Sequence, residues 1–341
     1  MFNSIIRLFT TVAPDFQVLW LASKDLFTAN NPYINPYIFT GVGYPANTLL
    51  FYLPLTLFNS ITAQNIFTLL SLVSIFISIY LIFKILNIKY NTFLFITITL
   101  LTFISFPTKF TLGMGQNNFL ALVILLVSFY LYKSKKTIYA GLLLGLSISL
   151  KTIFIYFLLF YFIKKQWKVV ASSVVIISLS ILVVYLIRGN FNLYTYYLTE
   201  VLPPLFRFEN REIYTNQGLS GFISRLISDI GIQKILTTIL SIILVSYNTF
   251  VIYSKKNTNL IFSFTIITLL LIDSLAWQHH FVWLLFPFIV LFSYSIKVKD
   301  KFLITLAYIL VSLNLPSSIL FDNNVFLGTL ILYGINIKYL K

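Results

Sequence analysis

Four stretches of this chain carry side chains able to do chemistry. Asp15 follows Pro14 at the head of the run FQVLWLASKDLFT. Gln116 and Asn117 close the segment PTKFTLGMGQNN (107–118). Lys151 interrupts the otherwise apolar start of Thr137–Lys168, and DSLAWQHHFVW (273–283) holds the only two histidines, His279 and His280, beside Trp277 and Trp283. A carboxylate can take a proton from a hydroxyl, an amide can donate and accept, and cationic donors can steady negative charge that grows on a leaving group. Each also has a structural account. Asp15 after a proline suits a helix N-cap, and so does Asn117. Lys151 could snorkel and mark a turn, and the tryptophans fit an aromatic belt. Adjacent histidines on a helix point about 100° apart and lack the i, i+4 spacing of a zinc pair, so no metal ligand set is assigned. With no cysteine, thiolate chemistry and disulfides are excluded.

The elements that must position these groups belong to a membrane protein. Of the 341 residues, 59% are hydrophobic and only 10% charged, and the mean hydropathy is +0.92. Such a chain is no soluble globular domain, and its long apolar runs exclude the alternating pattern of a barrel. The expected fold is all-α and polytopic, a single transmembrane domain over 1–341 with about 10–12 membrane helices. Apolar segments lie near 64–86, 91–107, 117–132, 137–150, 152–163, 168–187, 234–253, 258–275, 280–296, 302–319 and 325–338. Two longer polar regions, 13–63 and 188–233, separate them. Met1–Val12 is too short to span, so either the chain starts outside the membrane or a first helix precedes it. The net charge of +15 reads as topology and not as a nucleic-acid surface.

Lys151 raises the sharpest question about the helices. A transmembrane helix needs about 20 apolar residues, and a lysine at the bilayer centre costs about 2.5–3.5 kcal/mol. If 137–163 crossed once, KSKK (133–136) and KKQWK (164–168) would face opposite compartments. If it forms two short helices that turn at Lys151, both clusters share the cytoplasmic side with Lys84, Lys89, Lys255, Lys256, Lys297, Lys299, Lys301, Lys338 and Lys341, as the positive-inside rule asks. The second arrangement is expected. It places Lys151 in a recess on the outward side, with both long polar regions. In the first of these, the run Phe16–Thr28 and Ala46–Phe58 read as helices along the outer interface. Gly141 and Gly145 form a GxxxG packing face. The region 188–233 is long enough for a lid or binding loop and holds Arg207, Glu209, Arg211, Glu212 and NQGLSGFISR (216–225). On these residues alone, an enzyme, a transporter of lipid-linked sugar that uses Lys151, and an inactive cell-envelope scaffold all stand open.

Taken in order, these pieces resemble the polyprenol-phosphate-sugar-dependent glycosyltransferases of the GT-C superfamily, specifically glycosyltransferase family 87, the α-mannosyltransferase-like group. Asp15-Phe16 with its aromatic-alanine run and NPY (31–33) is similar to the family's first outer loop. Tyr44-Pro45 resembles its YPP, with Ala46 for the second proline. GQNN (115–118) and AGLLLGLSISLK (140–151) resemble its central signature, with Thr152 in place of the usual proline. NQGLSG (216–221) resembles an Asn-Gln-Ser motif with Gly218 substituted, and WQHHFVWLLFP (277–287) is the best match. The resemblance implies a GT-C-like fold in a multi-pass plasma-membrane protein with an extracytoplasmic site. It implies Asp15 as general base and inverting transfer of a hexose, mannose, from a polyprenyl-phosphate sugar to a lipid or glycan acceptor. Lys151 and one of His279 or His280 would contact the phosphate, with Gln116, Asn117, Tyr44, Asn216, Gln217 and Trp277 also binding substrate. No cofactor, metal or nucleic acid is implied; membrane lipid is the remaining partner.

Overall fold

The computed structural model describes residues 8–34, 41–314 and 321–341, the side chain of Phe321 excepted. Most of Met1–Val12, the second half of NPYINPY and the end of the 302–319 segment lie outside these. The protein is an all-α integral membrane protein, with no strand among the described residues beyond one isolated bridge. Each of the eleven apolar segments is helical over most of its described residues. Among the described residues three helices are long and apolar enough to cross a membrane by themselves: Ser60–Leu86, Trp167–Arg188 and Ile230–Ser254. Thr92–Ile104 and Phe106–Met114 form a bent pair, and shorter apolar helices include Asn118–Lys133, Thr137–Leu150, Thr258–Ile272 and Asn324–Leu340.

Two expectations change. The stretch 107–118, read as an outward loop, is mostly the helix Phe106–Met114, turned by 65° from Thr92–Ile104. The break falls at Ser105, whose backbone is extended (ψ 139°); Pro107 then sits in the first turn of the new helix, where its missing N–H costs nothing. The region 188–233 is likewise not open loop. It contains the helices Asn192–Tyr196 and Leu219–Leu226, a π-turn at Tyr197–Val201 and a 3₁₀ turn at Pro203–Phe206.

The chain forms two compact units that interleave along the sequence. One takes Met1–Ser78, Thr111–Ile155 and Trp167–Arg207; the other takes Ile79–Phe110, Tyr156–Gln166 and Phe208–Lys341. In the first, helix Pro14–Asp25 is sealed by the 3₁₀ helices Ala46–Phe51 and Leu53–Leu57. Phe16, Tyr52 and Phe67 form a ring cluster with centroids 5.1 to 6.1 Å apart. Trp20 donates Nε1–H to Leu55 O at 3.0 Å, and Ser23 Oγ donates to Leu49 O at 2.9 Å. Phe16, Val18, Leu19, Trp20, Ala22 and Ser23 are all buried, so this helix hides more of its circumference than an interfacial helix with a single apolar stripe would.

Thr137–Leu150 packs against Trp167–Arg188 and Asn118–Lys133. The GxxxG pair makes that contact possible. A Cβ on Gly141 would lie 2.3 Å from Val169 O, and one on Gly145 would lie 2.5 Å from Ser173 O. In the second unit, Val298–Ser312 and Thr258–Ile272 both pack on Asn324–Leu340. There Asn248 donates to Tyr156 Oη at 2.8 Å, one of several polar pairs between apolar helices.

Candidate functional site

The helix breaks at Lys151. Helix Thr137–Leu150 ends there, Lys151 is extended (φ −138°, ψ 91°), and a 3₁₀ turn, Thr152–Ile155, follows. A helix end leaves its last carbonyls without partners, and side chains from elsewhere supply them. Thr48 Oγ1 donates to Ser149 O at 2.8 Å, and Asn117 Nδ2 donates to Leu150 O at 3.1 Å. Asn117 does stand at the N-cap position of Asn118–Lys133, but its side chain makes no cap bond. Its amide closes the neighbouring helix instead.

The lysine at the break is buried, 2% accessible. Its ammonium donates to Tyr44 Oη at 2.6 Å and to Gln116 Oε1 at 3.4 Å, and it lies 5.1 Å from the Tyr44 ring centroid. Tyr44 Oη donates to Gln116 Oε1 at 3.4 Å, and Gln116 Nε2 donates to Asp15 Oδ2 at 2.6 Å. An ammonium can only donate and a carboxylate only accept, so the two ends fix which way the Gln116 amide points. Lys151, Tyr44, Gln116 and Asp15 therefore form one polarised relay that runs from cation to anion. Four residues singled out separately in the sequence meet in one place.

Asp15 is not an N-cap. The cap residue is Ala13, with Pro14 at the first helical position, and Asp15 lies inside the first turn. Its carboxylate is thus left for Gln116. Burial raises its pKa above the ordinary value of 3.8, and the Gln116 hydrogen bond and the Lys151 charge offset part of that rise.

Gly115 lets Gln116 reach Asp15. It has φ +68°, and a Cβ there would lie 2.6 Å from Phe16 Cβ and 2.8 Å from Ala13 Cβ. Gly115→Ala must adopt a disfavoured left-handed backbone and push helix Pro14–Asp25 away. We expect a stability loss of about 1–3 kcal/mol, the usual range for overpacking, and a larger loss of activity than of folded protein. Thermal unfolding and turnover measured on one preparation check this.

The second unit holds the remaining candidates. Asn216 and Trp277 form an antiparallel bridge, clipped by Gln217 N–H to Ala276 O at 2.8 Å and Gln278 N–H to Thr215 O at 2.9 Å. The NQG and WQHH motifs are therefore one structural piece. Within it the Gln217 side chain is fully engaged, donating to Tyr214 O and Asp322 O (2.6 and 2.7 Å) and accepting from Phe326 N–H at 3.1 Å. Asn216 Nδ2 donates to Arg211 O and to Ser220 Oγ, both at 3.2 Å. These two amides hold the loop together. Gly218 has no room for a side chain, since its Cβ would lie 2.7 Å from Asp273 O.

His280 Nδ1 lies 3.2 Å from Asp273 Oδ2, and its ring stacks on Trp283 at 5.0 Å and 6°. His279 turns nearly perpendicular to it (82°) and meets Phe110 edge-on at 5.2 Å. Among the described residues no group of three His, Cys, Asp or Glu could hold a metal ion. Two residues here escaped the sequence reading. Asp273, which caps Thr258–Ile272, orients His280; its carboxyl, seven positions before the histidine, was the available signal. Gln278 is fully buried, and among the described residues neither of its amide atoms has a hydrogen-bond partner. Nothing in its spacing could have marked it. Nearby, Arg225 binds Asn323 Oδ1 and the carbonyls of Ile213 and Asn216 (2.8 to 3.1 Å), and burial pulls its pKa down to about 10.

No curated protein and no solved structure matches this chain. Residues 42–294 match glycosyltransferase family 87, a span that takes in Tyr44, Gln116, Lys151 and the WQHH segment and begins after Asp15. That match covers well over half of the chain, and it agrees with the helical membrane architecture. The chain belongs to glycosyltransferase family 87, and it is a membrane glycosyltransferase.

Proposed function

We propose that this glycosyltransferase moves a hexose, mannose, from a polyprenyl-phosphate sugar to a lipid or glycan acceptor on the extracytoplasmic face of the plasma membrane, with inversion. The observation that carries the reading is the Asp15–Gln116–Tyr44–Lys151 relay. In the transfer, the acceptor oxygen bonds to the anomeric carbon while the bond from that carbon to phosphate oxygen breaks. The acceptor proton goes to Asp15, and the bonding electron pair leaves on the phosphate. A buried carboxylate with a raised pKa is a stronger base than an exposed one. A buried ammonium is worth most where a phosphodiester becomes a monoester and gains charge. His280, held by Asp273 and Trp283, is assigned to donor sugar or phosphate on its chemistry, with His279, Trp277 and the open amide of Gln278 beside it. Asn117, Asn216 and Gln217 are assigned to shaping the protein around substrate.

The test is transfer by the full chain in vesicles, offered a panel of polyprenyl-phosphate sugars. Product from the mannose donor with inverted anomeric configuration is expected; no product from any donor would overturn the reading.

The pH profile gives an independent check. Asp15 works deprotonated, so activity falls as pH drops through its raised pKa. The acidic limb of kcat/KM is therefore expected above the ordinary 3.8. Gln116→Leu removes a contact that favours the charged form, so the limb moves higher still. A limb that stays put in Gln116→Leu means that Asp15 is not the titrating group.

A further inference from the structure

We propose that Arg211 is a positioning residue for donor recognition: its buried charge keeps His280 a neutral ring with the proton on Nδ1, so that Nε2 receives a hydroxyl of the donor sugar. The inference rests on the transfer reaction proposed above and narrows the part of the donor that His280 meets. Arg211 is 3% accessible, and its Nη1 donates to Ser274 O at 2.6 Å. Ser220 Oγ donates to the same carbonyl at 2.8 Å, and Asn216 Nδ2 donates to Arg211 O at 3.2 Å. The guanidinium is thereby held at the residue after Asp273. There Asp273 Oδ1 accepts from Leu275 N–H at 3.2 Å, and Oδ2 lies 3.2 Å from His280 Nδ1. Asp273 and Glu209 are the acids whose charges support the Arg211 cation. Guanidinium, carboxylate and imidazole thus form one chain within a single compact unit.

The order of these charges decides the state of the ring. A carboxylate only accepts, so the Nδ1 that faces it carries the hydrogen. With Asp273 alone, His280 would be drawn towards the doubly protonated form, because a close opposite charge favours the cation. Arg211 already balances that carboxylate and keeps its own proton. A second cation would leave an uncompensated positive charge between side chains only 10% and 11% accessible, which is costly. Of the other ionisable groups nearby, Glu209 is exposed to water, and His279, 4.7 Å from the His280 ring, brings no negative charge. A neutral ring with its hydrogen on Nδ1 accepts at Nε2. A sugar hydroxyl donates there, whereas the ionised phosphodiester of the donor has no hydrogen to give. The stack on Trp283 at 5.0 Å fixes the plane in which Nε2 points.

The test reads the ring directly. The full chain, labelled with ¹⁵N-histidine, is placed in nanodiscs at neutral pH and studied by solid-state NMR. It has only two histidines, so His279→Gln assigns the spectrum. Wild type is expected to show His280 neutral and protonated at Nδ1, and Arg211→Gln is expected to show an imidazolium. Arg211→Lys keeps the charge and should keep the neutral ring. Ser220→Ala removes the other hold on Ser274 O without touching a charge, so its spectrum should match wild type. In transfer assays Arg211→Gln raises the donor KM about tenfold, as for loss of one good contact, and leaves the acceptor KM unchanged. Inhibition by polyprenyl phosphate, which carries no sugar, should not weaken in that variant. An imidazolium in wild type overturns the proposal even where Arg211→Gln folds poorly. So does a neutral ring in Arg211→Gln, or the same spectral change in Ser220→Ala, which would make Arg211 a support of the turn alone. Polyprenyl phosphate inhibition weakened as much as donor use would place His280 at the phosphate and also overturn it. No transfer from any donor, with the expected spectra, removes the transfer reading and leaves the control of His280 by Arg211 standing.

Discussion

Asp15→Asn is expected to lower the rate of sugar transfer by about 10²–10⁴-fold, the range contributed by a positioned general base. The substitution is nearly isosteric, and its side-chain oxygen can still accept from Gln116 Nε2, which now reaches Asp15 at 2.6 Å. Phe16 and Trp20 on the same helix keep their burial, so the amount of folded protein and the donor KM should hold. What is lost is the capacity to take a proton. Asp15→Glu keeps that capacity but moves it by one methylene, and it should fall between the two. Turnover of Asp15→Asn within twofold of wild type would sink the base assignment, whatever the other variants do.

Lys151→Met is the second large effect. One cationic donor at a developing charge is worth about 10²–10³ in kcat, and a loss of that size in donor use is expected. Met approximates the shape of the lysine stem, but it leaves the Tyr44 hydroxyl and the Gln116 carbonyl without their donor and the Asp15 carboxylate without its counter-charge, and removing one side of a buried charge pair is destabilising. The melting temperature should therefore fall, and transfer compared per amount of folded protein should still collapse. A lysine that merely marks the turn predicts unchanged transfer instead. Lys151→Arg is not expected to rescue activity, because a planar guanidinium cannot take the place of a compact ammonium 2.6 Å from Tyr44 Oη without moving it. Tyr44→Phe, which removes only the bridging hydroxyl, should cost less than either.

The helical segments and the break at Lys151 were legible because charge and hydrophobicity act over whole segments. Lysine clusters on both sides of 137–163 could share one compartment only if the chain turned between them. The fates of individual amides were not legible. Gln116 and Asn117 are neighbours of similar chemistry, yet one faces the Asp15 carboxylate and the other closes a helix at Leu150. Tertiary placement decides this, and spacing does not record it. The cap account of Asp15 fails for a related reason: Pro-Asp before an apolar run suits a cap, but the helix starts two residues earlier than a cap at Asp15 requires, with Pro14 at its first position. Pro107 and the glycines of GMG likewise suggested a loop where the chain forms a helix to Met114. Tyr33 was visible as the end of NPY (31–33), but its stack on Tyr196 was not, since the two residues lie far apart in the chain.

The interleaving of the two units carries a consequence for how the enzyme is made. Asp15 meets Gln116 across 101 positions, and Tyr44 meets Lys151 across 107. During synthesis, the carboxylate must wait for about 100 residues before its partner exists. The first unit stays open longer, because its last piece, Trp167–Arg207, follows a segment that belongs to the other unit. Contacts of such long range form late and slowly. While they are missing, Lys151 lacks the Tyr44 hydroxyl and the Gln116 carbonyl, and the GxxxG face lacks its helix. The nascent chain should therefore present its main vulnerability to quality control between emergence of Lys151 and completion of Arg207. Substitutions at Gly141 or Gly145, which meet the late helix Trp167–Arg188, should act there, lowering yield before they alter the finished enzyme.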